Sequence, residues 1–349
     1  MRSISKQPVI KRLRKPETNF YQFLRLHRAE FGHSINSKKK KTDYYGYYPD
    51  ITNLIKKLSV HLKMNEKNLI LGLGAESIIK DILFFFSKSK KNIGYLSPNY
   101  FMYNIYSKLF GYRSFDLKIN PEKSDDLNVV KIKKFLVKNN IDIFLLVNPS
   151  HPFEKNWSSK ETKEIIKFCK RKKIIVIIDE VYQGLGSQTS KELVKKFENL
   201  FIIGSFSKNF GLPALRIGYL ISSRKNIKFL ESFRLAIELP AHSIKIALNF
   251  LQRKQQIKSK IKQIINARTF AHKEFKKRNI KSFGRFGNSV TFKSINYKST
   301  QKIGNFLKKN KILINYNYSK PFNNFINLTT TNKNNLKIFF KKLDQIYKK

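Results

Sequence analysis

Between Leu69 and Ile221, short runs of apolar, largely β-branched residues alternate with stretches of helical spacing, and few architectures accept such a chain. The runs are Leu69 to Leu71, Asn92 to Leu96, Ile141 to Val147, Ile174 to Ile178, Leu200 to Ile203 and Ile217 to Ile221. A strand with one face in water alternates polar and apolar residues, whereas a continuous apolar run is buried on both faces. The helical patterns between them supply the crossovers that parallel strands need. An α/β fold with a mainly parallel, doubly covered sheet is expected.

Outside this region the texture changes. The first forty residues are basic and irregular, and the Lys38 to Lys41 run reads as a solvated segment. Ile51, Leu54, Ile55, Leu58 and Leu62 have helical spacing. After Pro240 a long Lys-rich helical pattern runs to about Lys277, followed by strand-like Ser289 to Phe292 and Ile312 to Tyr316 and a helix from Asn334. Helices beside a few strands point to a smaller α+β domain. The expected organisation is an arm over 1–45, a large α/β domain over 46–240 and a small domain over 241–349, which suits a chain of 349 residues.

The formal net charge of +48 would ordinarily direct attention to nucleic acid or an anionic membrane. Lysines outnumber arginines about four to one and are spread from end to end, and Asn, Ile, Phe and Tyr are also abundant, as a coding bias toward A and T would produce. A binding footprint clusters on one face or uses Arg forks, so specific nucleic-acid recognition is not expected. The single cysteine, Cys169, excludes an intramolecular disulfide and a multi-cysteine zinc site, and no metal is expected. No apolar stretch approaches the ~20 residues of a membrane span. Met1 to Lys15 lacks the apolar centre of a secretory signal, so a cytoplasmic location is expected.

Chemistry gathers at three places. Ser205-Phe206-Ser207-Lys208 is followed by Asn209-Phe210-Gly211-Leu212-Pro213-Ala214-Leu215-Arg216, which puts two hydroxyls, an amine and a guanidinium around a strand end. A phosphorylated aldehyde needs such groups: an amine to condense with the carbonyl, hydroxyls and an Arg fork for the phosphate. Taken alone, Lys208 reads better as one more surface lysine in a lysine-rich chain. Asp179-Glu180-Val181-Tyr182 places an acid at the C-terminal end of a buried strand, where α/β ligands bind, although many nucleotide and metal sites share that feature. Gly72-Leu73-Gly74-Ala75-Glu76-Ser77 joins a strand to a helix, a place that favours phosphate, and Tyr100 just beyond the next strand fits either ring stacking or core packing.

In this order and spacing the motifs resemble those of fold-type I pyridoxal-phosphate (PLP) enzymes, and most of all the histidinol-phosphate aminotransferase branch of the class I/II aminotransferases. The resemblance runs from about Tyr47 to Tyr219 and more faintly to the end. It implies a seven-stranded, mainly parallel large domain, with a small domain built from the C-terminal part and the N-terminal segment. It implies Lys208 as the Schiff-base lysine, Asp179 opposite the ring nitrogen, Tyr182 on the ring hydroxyl and Tyr100 stacked on the ring. Ala75 and Glu76, by their backbone, and Ser205, Ser207 and Arg216 would hold the phosphate. Tyr48 would reach the cofactor of a neighbouring subunit, so a homodimer with shared sites is implied.

Two departures bear on the substrate. The family's Asn-Pro-x-Asn-Pro-Thr-Gly loop reads Asn148-Pro149-Ser150-His151-Pro152-Phe153-Glu154, so His151 stands where an asparagine normally donates to the ring hydroxyl. Histidine can donate too, but it can also titrate near neutrality. Near the C-terminus, Asn327 and Asn315 stand where arginines that grip substrate anions are expected, and no arginine follows Arg285. Arg28 and Glu30, in a stretch that loosely resembles the family's substrate-facing N-terminal segment, join Asn327 as substrate candidates. The implied activity is transamination between an amino donor and a carbonyl acceptor other than the histidinol-phosphate pair. Decarboxylation of an amino acid or phospho-amino acid is the alternative, and a non-catalytic binding protein with the same fold is the third reading.

Overall fold

The computed structural model describes residues 24–26, 49–120, 122, 127–152, 155–235 and 238–347. Its first strand, β1 (Leu24–Arg25), belongs to the C-terminal part of the molecule. The chain then enters α1 (Thr52–Leu62), β2 (Leu69–Leu73), α2 (Gly74–Phe86), β3 (Asn92–Ser97), α3 (Met102–Leu109), β4 (Arg113–Lys118), α4 (Val129–Lys138) and β5 (Ile143–Val147). It continues through α5 (Ser159–Arg171), β6 (Ile175–Asp179), β7 (Leu200–Ser205), β8 (Ile217–Ser222) and α6 (Arg224–Glu231). Among the described residues these strands form one seven-stranded sheet in the order β2-β8-β7-β6-β5-β3-β4. Only β8 runs antiparallel to its neighbours.

Successive residues of the central strands enter opposite cores, as a side-chain period of two requires. Phe144, Leu146, Val176, Ile178 and Ile202 pack with residues of α1, α4 and α5. Ile143, Leu145, Ile177, Phe201 and Ile203 pack with α2, α3 and α6. A run buried on both faces thus explains why the six apolar segments read as strands. Strand β4 did not: it lies at the sheet edge with an exposed-leaning pattern, and Arg113, Asp116 and Lys118 break its apolar character.

The expected single helix after Pro240 is two, α7 (Ala241–Gln252) and α8 (Lys254–Lys277), divided at Arg253, whose ψ of 53° leaves the helical region. Helix α7 packs on α1 within the first core, while α8 contributes Ala267, Ala271 and Phe275 to a third core. That core is shared with β10 (Ser289–Lys293), α9 (Tyr297–Lys309), β12 (Phe325–Thr329) and α10 (Lys333–Tyr347). The sheet order here is β12-β10-β9, with β9 at Ser282–Phe283. Strand β11 spans Ile312–Leu313 alone and pairs in parallel with β1, and Leu26 is buried in the same core. The expected strand over Ile312 to Tyr316 is thus cut short, with Asn315 making an isolated bridge to Asn327. Among the described residues no helix is long and apolar enough to cross a membrane.

Candidate active site

The register of the large sheet brings the candidate residues to one end. Val147 pairs with Asp179, and Ser205 with Gly218, so β5, β6 and β7 all release their loops on the same side, where open α/β sheets hold ligands. The loop after β5 is closed by Asn148, whose Oδ1 accepts from the Trp157 N–H at 2.9 Å and whose Nδ2 donates to the Trp157 carbonyl at 3.2 Å. His151 is carried at its tip.

Lys208 Nζ lies 5.4 Å from the centroid of the Tyr182 ring. The His151 imidazole stacks on that ring, 4.8 Å between centroids and 18° between planes. Burial, and then the nearby Lys208 ammonium, push the His151 imidazole down to about 3. It therefore stays neutral across the physiological range, contrary to the titration near neutrality that its residue type alone suggested. Asp179 is almost fully buried. Burial raises its carboxyl, opposed by hydrogen bonds from the Tyr103 hydroxyl and the Val181 N–H and by the charge of Lys208. Lys208, Asp179, Tyr182 and His151 thus form one electrostatic group.

Tyr103 was not singled out in the sequence. It sits on α3, wholly buried, and its hydroxyl donates to Asp179 Oδ2 across 76 residues of chain. Tyr100 turns its hydroxyl to Glu76 Oε2 at 2.9 Å and packs edge-on against Tyr103, 5.8 Å between centroids. Glu76 also accepts from Tyr106 at 3.1 Å, so its side chain ties α2 to α3 while its backbone stays in the first helical turn.

On the adjoining side, α2 begins without a side-chain cap, so its first N–H groups, at Gly74, Ala75 and Glu76, have no intrahelical or capping acceptor. Gly74 adopts a φ of +79°, and a Cβ there would lie 2.7 Å from Arg216 Nη2. A Cβ on Gly218 would lie 2.3 Å from the Gly74 carbonyl carbon and 2.4 Å from the Ala75 nitrogen. Two missing side chains thus let the guanidinium and β8 close on the helix start. Arg216 itself holds a left-handed backbone at φ 54°, uncommon outside glycine. Ser205 Oγ accepts from the Ser207 N–H at 3.0 Å, which folds the chain before Lys208 back toward the same edge. Helix N–H groups, a guanidinium and two hydroxyls suit a phosphate dianion, and an amine beside a buried carboxylate and two flat rings suits a pyridine aldehyde. The residues therefore fit PLP.

Asn327, expected as a substrate contact, has its amide N–H groups bonded within the protein. It is wholly buried on β12, and its Nδ2 donates to Ser289 Oγ at 3.1 Å and Thr291 Oγ1 at 2.8 Å, so both N–H donors are spent within the protein. Tyr48, Arg28 and Glu30 lie outside the described residues.

Known proteins resemble this chain in sequence and in fold. The sequence profile of the family described as Aminotransferase class I and II matches residues 18–343. A histidinol-phosphate aminotransferase of Caldanaerobacter subterraneus subsp. tengcongensis is 29% identical over 265 residues, covering 75% of this chain and 74% of that one. Among solved structures, the histidinol-phosphate aminotransferase of Sinorhizobium meliloti in complex with pyridoxal-5′-phosphate superposes with a TM-score of 0.78 at 18% identity, over 86% of this chain and 83% of that one. The L-threonine-O-3-phosphate decarboxylase of Porphyromonas gingivalis does so with a TM-score of 0.73 at 16% identity, over 93% and 99%. At these identities the structures speak for the fold.

Proposed function

Because the chain belongs to the class I and II aminotransferase family and its cofactor is pyridoxal 5′-phosphate, we propose that it moves an amino group between an amino donor and a carbonyl acceptor, with Lys208 as the cofactor-holding and proton-moving residue. The observation that carries this reading is the meeting of Lys208, Tyr182 and Asp179 at the strand ends beside an uncapped helix start closed by Arg216. When bound, PLP supplies an electron-poor ring that accepts the electron pair left behind when a substrate C–H bond is broken.

The protein's own part is to hold and to move a proton. Lys208 would hold the cofactor through Nζ, and its amine, when free, would accept a substrate proton at Nζ and give it up again from the same side. Asp179 would pair with the ring nitrogen, and the Tyr103 hydroxyl keeps its carboxylate oriented. Tyr182 and neutral His151 would serve the ring hydroxyl. Arg216, Ser205, Ser207 and the N–H groups of Ala75 and Glu76 would hold the phosphate, and the fixed ring would leave Lys208 facing one side of the substrate.

The donor proposed is one whose anion is not gripped from β12. Asn327 offers no charge, its N–H groups are spent, and no arginine follows Arg285. A bidentate clamp contributes ~1.5–3 kcal/mol per charged hydrogen bond, so histidinol phosphate is not the donor proposed. Stopped-flow absorbance of the PLP-loaded enzyme against a panel of amines, with and without an α-carboxylate, tests this. Conversion of bound PLP to pyridoxamine phosphate by a donor lacking the clamped anion is expected. Rapid conversion by histidinol phosphate would contradict the substrate reading, and release of CO2 with PLP retained would replace transamination by decarboxylation.

A further inference from the structure

A buried asparagine in the interior of a strand is costly unless its amide is used, since burying an unpaired polar group costs about 1–3 kcal/mol. Asn327 is such a residue: its two N–H groups are used, while its Oδ1 is buried without a hydrogen-bond partner among the described residues. Ser289 and Thr291, which receive its two N–H groups, are two apart on β10 and therefore share one face. That face meets the loop at the tip of β5. Thr291 Oγ1 donates to the Pro152 carbonyl at 2.7 Å, and Ser289 Oγ lies 3.3 Å from His151 Nδ1. Ser289, Thr291 and Asn327 are all wholly buried, so these bonds form where water does not compete.

The imidazole is thus held from two sides: Tyr182 fixes its plane and Ser289 fixes one ring nitrogen. We propose that Ser289 and Asn327 are positioning residues for His151, so that the three-stranded sheet, and not the β5 loop alone, sets the ring-hydroxyl wall of the PLP pocket. The proposal rests on the PLP pocket described above. Asn327 acts through Ser289 and Thr291, and it need touch neither cofactor nor substrate. An imidazole has two ring nitrogens whose donor and acceptor roles are assigned by a partner. The groups that face His151 are the Lys208 ammonium, the Tyr182 ring and the Ser289 hydroxyl.

The test uses the full-length chain, first without PLP, so that it does not depend on the cofactor. Ring-nitrogen NMR of the histidines, with His151 identified by the signal missing from His151→Asn, reads its tautomer and hydrogen bonding directly. The wild type is expected to show two well-separated ring-nitrogen resonances from one fixed tautomer. Ser289→Ala and Asn327→Leu should each lose that separation, and Ser289→Thr should keep it. Added PLP should then bind roughly tenfold more weakly to the first two variants, the loss expected for one hydrogen bond of ~1.4 kcal/mol, while still attaching at Lys208. Unchanged His151 resonances in Ser289→Ala would overturn the proposal, even if Asn327→Leu failed to fold. Should the wild type take up no PLP, the pocket reading falls separately, and the resonances still decide the positioning role.

Discussion

A carboxyl group buried as deeply as Asp179 tends to give up its charge, and three groups oppose that here: the Tyr103 hydroxyl, the Val181 N–H and the Lys208 ammonium. Removing one should be visible. Tyr103→Phe deletes the hydroxyl but keeps the ring, so the Asp179 carboxyl should move further up and hold a protonated ring nitrogen less well. A hydrogen bond to a charged group contributes ~1.5–3 kcal/mol, so PLP affinity measured by absorbance titration should drop at least about tenfold. His151 gives a second residue-level test. Its imidazole is held down at about 3 by burial and Lys208, against an ordinary 6.5. The unfolded chain therefore takes up a proton that the folded one refuses, and stability is lost as pH falls from 6.5 toward 3. His151→Asn removes that loss, so its urea midpoint should decline less steeply than the wild type's below pH 6.5, by at most about 1.4 kcal/mol per pH unit. Parallel slopes would mean that the imidazole is not buried as described.

At the scale of elements, the phosphate cradle is made by the approach of β8 to the start of α2. Gly218→Ala would put a methyl group within 2.3–2.4 Å of Gly74 and Ala75 backbone atoms, which cannot swing aside as a side chain could. The helix start must move, and PLP affinity is expected to fall by about tenfold or more, the cost of one charged hydrogen bond to the phosphate. Isothermal titration with PLP would show it, and wild-type affinity would refute the cradle. The same elements show what a sequence can and cannot reveal. Strands β2, β3, β5, β6, β7 and β8 are readable because burial on both faces forces unbroken apolar runs. Strand β4, on the edge, is not, because four of its six residues are exposed to water and none is buried. The break between α7 and α8 has no glycine or proline to announce it, only the backbone angles of Arg253. Lys208, Asp179, Tyr182 and Arg216 could be named because their chemistry and spacing travel together along the chain. Tyr103 and Ser289 could not, because their partners, Asp179 and His151, lie 76 and 138 residues away.

Across the whole molecule, acid and base responses oppose each other. Glu180, buried and accepting from Thr189 at 2.5 Å and the Ser190 N–H at 2.6 Å, is pushed up by burial to about 7 from 4.5. A raised acid keeps its proton longer when folded, so its contribution favours the fold at low pH and is lost as pH rises from 4.5 to 7. Glu180→Gln retains an acceptor without the charge, and its stability should hold steadier than the wild type's over that window in thermal melts. A wild-type slope there would show that Glu180 ionises freely. The net charge of +48 predicts a separate, salt-sensitive behaviour. Non-specific binding to DNA should weaken between 50 and 200 mM salt by about 10³–10⁵ for six to ten phosphate contacts, as a filter-binding titration would show.

The central claim is that Lys208 carries the cofactor, and borohydride reduction of the PLP-treated protein followed by peptide mapping tests it most directly. The account predicts a visible absorption band on adding PLP, and after reduction a phosphopyridoxyl group on the peptide containing Lys208, with both lost in Lys208→Ala while the fold is retained. A band of full strength in Lys208→Ala, or the label on another lysine with Lys208 unmodified, would contradict it.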